Sequence, residues 1–164
     1  REHWEPWQDR LPLHFCSLMT LVCLIALWFR TPWACAVAYF GVLTASVQGL
    51  ITPMLHDGFP SAAFFAFFVG HGLLLISALY LPAVLQWRAR PWDDMRALGL
   101  CDAYLVFIIP VNIWLDTNYG FTRYAPAGTV LEYFGSAPWY LLTLQIPALV
   151  LLRLLYLTVR VRKK

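Results

Sequence analysis

An all-α, polytopic transmembrane helical bundle is the fold class that the sequence predicts, on three observations. Hydrophobic residues make up 60% of the chain and charged ones 13%, with a mean hydropathy of +0.62, far outside the balance of soluble domains. The apolar residues fall in long runs, of which Ser61–Leu81 carries no Asp, Glu, Lys or Arg and has the ~20 residues that a helix needs to cross a hydrocarbon core. Basic residues gather at alternate ends of those runs, as the positive-inside rule requires. At 164 residues the chain is read as a single transmembrane domain, 1–164. It opens on a polar segment without an initiator Met, so it is expected to be a fragment lacking one or more N-terminal helices.

The elements follow in order. Arg1–Arg10 is polar, with Trp4 and Trp7 of the kind that sit at headgroup level. The first span is expected over 13–29, opened by Pro12. Arg30-Thr31-Pro32 turns the chain into a second span over 33–51. A loop with His56, Asp57 and Gly58 leads to the third span, 61–81, which Pro82 ends. In that span Ala62, Ala66 and Gly70 recur every four residues, the spacing of a small face for helix packing. Gln86–Arg96 is the most charged segment and reads as a surface loop. The fourth span covers 97–115, with a kink expected at Pro110. A longer polar loop follows, then a fifth span over 137–159 and a basic tail.

With the C-terminus cytoplasmic, that side collects Arg30, Arg88, Arg90, Arg96, Arg160, Arg162, Lys163 and Lys164, and the other side only Arg1, Arg10 and Arg123. Arg153 reaches the cytoplasmic side by snorkelling. Eight against three sets the expected orientation in the cell membrane, with the start of this chain outside. The net charge of +3 is therefore a property of helix ends and no argument for a nucleic-acid partner.

Under this topology the polar residues collect in the outer half of the bundle. They are His14 and Cys16 on the first span, Gln48 and Thr52 on the second, and His71 on the third. Asn112, Asp116, Asn118 and Tyr119 follow on the fourth and beyond it, with Trp139, Tyr140 and Gln145 on the fifth; Asp102 is the main exception. Convergent polar groups in an apolar bundle mark a ligand or catalytic cavity. His71 stands out, because a titratable side chain in mid-membrane is costly and is kept for function or for a helix–helix hydrogen bond.

The residue types admit a Cys16–His71 pair, the histidine taking the thiol proton, with Gln48 and Asn112 as oxyanion donors. Depth is the obstacle. His71 falls about 15 Å below the outer surface and Cys16 about 5 Å, so the pair meets only if the first helix starts near Pro6 or the helices tilt. His14 is two residues from Cys16 and off its helix face. His56 with Asp57 is an alternative acid–base or metal pair, though a His-Asp-Gly loop is more often a turn. No metal site is expected, since the histidines have no carboxylate at ligand spacing and lie at different depths, and no cofactor is expected either. Cys16, Cys23, Cys35 and Cys101 form no C-x-x-C pair, which leaves neither a zinc site nor a disulfide framework.

The ordered runs LPLHFC (Leu11–Cys16), QGLITP (Gln48–Pro53), GHG (Gly70–Gly72), NIWLDTNYGF (Asn112–Phe121) and PWY (Pro138–Tyr140) span essentially the whole chain. In this set the chain resembles the YwaF-like integral membrane proteins. The eukaryotic relatives of that group include a transmembrane lipid acyltransferase acting on ether phospholipids. The resemblance implies an all-helical bundle with further helices before Arg1. It also implies, for acyltransferase members, a catalytic cysteine near an early span and a histidine two spans later, the places that Cys16 and His71 hold. The substrate-binding set is then His14, Gln48, Thr52, Asn112, Asp116, Asn118, Tyr119, Trp139 and Tyr140, and the partners are membrane lipids. The alternative is a non-enzymatic ligand-binding membrane protein, a small-solute carrier or a sensor; against a carrier, the cytoplasmic half offers no matching polar path.

Overall fold

The computed structural model describes residues 11–53, 55 and 58–161. The His56–Asp57 pair, Arg1–Arg10 and residues 162–164 lie outside the described residues.

Among the described residues the chain is all helical in its regular structure, as expected. Helix α1, Phe15–Phe29, is preceded by a turn that contains Pro12, so Pro12 does not open it. At 15 residues it extends about 22 Å, short of a ~30 Å hydrocarbon core. It falls where the first span is expected and is the shortest of the five: four helices have the length and composition to cross a membrane, and α1 is a shorter apolar helix beside them. Arg30 ends α1 in the left-handed conformation, its N–H returned to the Ala26 carbonyl.

Helix α2, Pro32–Ile51, starts with proline at a position that lacks an intrahelical partner in any case. Ala34 through Val42 are all buried, the pattern of a helix that is apolar on every side because it sits in the middle. It is 56% buried, against 11% for each of the other span-length helices. Small residues (Ala34, Ala36, Ala38 and Gly41) let the neighbours come close: a Cβ on Gly41 would meet the Met19 sulfur at 2.9 Å. Residues Val42–Ser46 widen into a π-helical turn.

Helix α3, Ala62–Ala83, is capped by the Ser61 hydroxyl, which accepts from the Phe64 N–H at 3.1 Å. It runs one residue past Pro82, which sits inside its last turn. Its buried stripe is Leu74, Ala78 and Leu81. The expected small face is corrected: Ala62, Ala66 and Gly70 are exposed, and a Cβ on Gly70 meets nothing within 4 Å. The apolar bulk of Leu74 and Leu81, with Ala78 between them, carries the packing on this helix.

Helix α4, Asp93–Leu115, begins four residues earlier than the expected span and takes in part of the segment read as a loop. Two acidic residues in a first helical turn complement the helix dipole, which draws the helix back into the charged segment. It runs on through Pro110 to Leu115. After 3₁₀ turns at Tyr119–Phe121 and Val130–Phe134, helix α5, Tyr140–Val159, passes a single turn residue at Leu144.

One end of the bundle is basic. The α3–α4 connection folds into it, with Trp87 against Tyr39 (5.5 Å) and Phe40 (6.3 Å). The backbone of Ala89 is clamped to the end of α5, its N–H donating to Val159 O at 2.9 Å and its carbonyl accepting from Val161 N at 3.1 Å. At the opposite end lie the starts of α1 and α5, the finish of α2 and α4, and the loop after α4.

Candidate functional site

Cys16 sits in the first turn of α1, half-buried. Its thiol interacts with the hydroxyl of Ser46, on the π-turn of α2. Ser46 is 2% exposed, and its Oγ closes no well-aligned hydrogen bond. π-turns inside α-helices concentrate at functional sites, because the extra residue re-aims the side chains around it. Tyr104 of α4 lies within electrostatic reach of both Cys16 and Tyr119, and its hydroxyl donates to the Leu13 carbonyl at 2.7 Å. Tyr119 receives the edge of His14, with ring centroids 4.8 Å apart. His14, Cys16, Ser46, Tyr104 and Tyr119 thus form one polar cluster from three helices and a loop.

His71 reaches α2 one turn further along. Its Nδ1 is 3.0 Å from the Phe67 carbonyl, and its ring stacks on Phe67 at 4.1 Å. A carbonyl can only accept, so Nδ1 carries a proton, and in the neutral ring the lone pair is on Nε2. Nε2 points at Gly49, where a Cβ would come within 2.8 Å. Glycine at that position is therefore a requirement of the histidine's placement. Gly49 and Ser46 are three residues apart and share a face of α2. Among the described residues no hydrogen bond joins Cys16 to His71.

The contact between Gly49 and His71 sets the register of α3 against α2. Gly49 lies two residues from the end of α2, whereas His71 lies nine residues into α3. Their contact means that α3 projects about 10 Å beyond α2 at this end, with His71 level with Gly49, one turn further along α2 than Ser46.

Other expected site residues are occupied elsewhere. Asn112 is fully buried, and its amide is the hub of the loop after α4. Its Nδ2 donates to Tyr119 O and to Thr122 Oγ1, both at 2.7 Å, and its Oδ1 accepts from Thr117 Oγ1 and Tyr119 N, both at 2.8 Å. No N–H remains for an oxyanion. Asn118 does the same one turn on, donating to Tyr124 O at 3.0 Å and accepting from Arg123 N at 3.0 Å. Asp116 is exposed and paired with Arg123 at 2.5 Å. Gln48 points away from the Ser46–Gly49 face and is exposed; Thr52 returns its hydroxyl to the Gln48 carbonyl at 3.2 Å. Trp139 is 67% exposed, while Tyr140 is fully buried with an unpartnered hydroxyl. Gln145 donates to Asp102 Oδ1 at 3.0 Å, an α4–α5 link outside the cluster.

The sequence reading missed Ser46, Tyr104 and Gly49. The S-x-x-G spacing of Ser46 and Gly49, which puts a hydroxyl and a gap on one helical face, was the available signal. Two cavities, of about 300 and 360 Å³, lie toward the basic end and touch neither Cys16 nor His71. Among the described residues no group of His, Cys, Asp and Glu side chains could hold a metal ion.

A profile of the TMEM164 family matches residues 1–156, and the chain belongs to that family of transmembrane proteins. No curated protein and no solved structure matches it.

Proposed function

We propose that this integral membrane protein is a lipid acyltransferase that carries the acyl group on Cys16, with His71 as the base. The observation that carries this reading is the setting of His71: Nδ1 bonds Phe67 O, so Nε2 of the neutral ring is an acceptor facing the helix that also presents Ser46 to Cys16. In the first half-reaction the thiol proton passes to His71 Nε2 over the Ser46 hydroxyl. The sulfur bonds to the ester carbonyl carbon, the ester C–O bond breaks, and the departing lysophospholipid oxygen takes the proton from His71. In the second, a lysophospholipid hydroxyl gives its proton to His71 and attacks the thioester carbon, the C–S bond breaks, and sulfur regains a proton. The missing direct Cys16–His71 hydrogen bond is compatible with this route, since catalytic hydrogen bonds often tighten only with substrate in place. In this reading the basic end faces the cytoplasm, and the Cys16–His71 region lies in the outer half of the cell membrane.

The test is incubation of purified protein with phospholipid labelled in the acyl chain. A hydroxylamine-sensitive adduct is expected, absent in Cys16→Ala and His71→Ala. The double variant should be no worse than either single one, because residues acting as one unit are not additive. Turnover retained in Cys16→Ala would remove the thioester. The second reading, a non-enzymatic ligand-binding protein, is favoured by the separation of Cys16 from His71. It requires lipid or solute binding that both variants leave unchanged.

A further inference from the structure

The cavity of about 300 Å³ at the basic end has a different chemistry from the cysteine cluster. Its walls are apolar and belong to two membrane-spanning helices, with Ala36 and Val37 from α2 facing Ala97 and Leu100 from α4. Arg90 and Arg96 line it as well. Its size is at the lower end of ligand pockets.

The arginines are presented by fixed backbone. The Arg90 N–H donates to Asp93 Oδ2 at 2.8 Å, and its neighbour Ala89 is hydrogen-bonded on both sides to the end of α5. The guanidinium of Arg90 has no partner among the described residues. Arg96 spends one N–H on Asp93 Oδ1 at 3.0 Å and is 65% exposed, which leaves most of its five donors open. Both Asp93 oxygens are thereby engaged, and Arg90, Arg96 and Asp93 together carry one net positive charge (two positive, one negative). An apolar slot between spanning helices, with a fixed cationic pair beside it, has the complementarity of a lipid with an anionic headgroup. A guanidinium binds phosphate oxygens in a bidentate fork.

We propose that this slot seats an anionic phospholipid, with one acyl chain between α2 and α4 and its phosphate on Arg90 and Arg96. The site is independent of the reaction assigned to Cys16.

The full chain, purified in detergent, is titrated with phosphatidylglycerol or with phosphatidylcholine of the same acyl chains, and bound lipid is counted by native mass spectrometry. Phosphatidylglycerol should bind at least tenfold more tightly. Loss of charge-assisted hydrogen bonds in Arg90→Gln/Arg96→Gln should weaken it roughly tenfold to a hundredfold. Arg90→Gln alone, which breaks no contact within the fold, should give part of that loss if the double variant expresses poorly. Arg88→Gln should change nothing, because that guanidinium donates to the Pro82 and Trp87 carbonyls at 2.9 Å and does not line the cavity. Leu100→Trp fills the slot with both arginines kept, and should weaken binding. Four results would overturn the proposal: equal binding of the two lipids; a preference that survives Arg90→Gln/Arg96→Gln; an Arg88→Gln loss equal to that of Arg90→Gln; or displacement by glycerol phosphate at equal concentration, which would mean a site for soluble anions.

Discussion

The two ends of the bundle must each carry an apolar chain into a polar loop, and they do so with opposite chemistry. Beyond α4 the buried part of the loop is tied by neutral amides and hydroxyls, with the Asp116–Arg123 ion pair on its exposed side: Asn112 alone makes four hydrogen bonds, all buried. At the basic end the joints are ionic. Asp94 is fully buried, with Arg153 NH1 2.9 Å from its Oδ2, off hydrogen-bond alignment, and the Arg153 guanidinium lies over Trp92 (5.4 Å) and Tyr156 (5.7 Å). A neutral knot satisfies every donor and acceptor it contains and leaves nothing over for a ligand. Ionic joints between long side chains leave donors unspent and space between helices, which is where the cavity lined by Arg90, Asp93 and Arg96 lies.

The sharpest way to break this comparison is Asn112→Ala. It orphans the Tyr119 backbone and two buried hydroxyls, for an expected cost of about 3 kcal/mol or more. The protein should then lose its folded fraction in detergent, and an unchanged melting temperature would dissolve the knot. Arg153→Gln should cost less, about 2 kcal/mol. It leaves the buried Asp94 charge uncompensated, but Arg153 is 46% exposed and water already screens the pair. A loss that fades in high salt would fit an ionic joint, and the Asn112 loss should not fade.

Two glycines sharpen it further. Gly49→Ala pushes a methyl group to 2.8 Å from His71 Nε2, so it should displace the imidazole and cut turnover with a stability loss of only about 1 kcal/mol. Gly70→Ala enters open space and should stabilise α3 by up to about 1 kcal/mol through helix propensity alone. Parallel activity and melting measurements on the pair separate the site from the scaffold. The smallest effect is expected from Arg123→Gln, which removes an exposed ion pair with Asp116 worth about 0.5 kcal/mol.

Composition and run length by themselves determined that this is a helical membrane protein and roughly where its helices lie, because burying a backbone in hydrocarbon leaves few alternatives to a helix. They also singled out His71, an imidazole in an apolar run, whereas Cys16, one of four thiols in apolar context, was picked out by its place in the outer half and by the resemblance. Which faces pack was beyond reach. In a chain this apolar the contrast between lipid-facing and protein-facing sides is weak, so the four-residue repeat of Ala62, Ala66 and Gly70 pointed to the wrong stripe. Asn112 looked like a ligand group because a sequence does not say which partners fold back onto an amide. Only the tertiary structure decided that Thr117, Tyr119 and Thr122 fill it. Only the register of α3 against α2 decided that His71 lies level with Gly49, through a contact that exists because Gly49 has no side chain to prevent it.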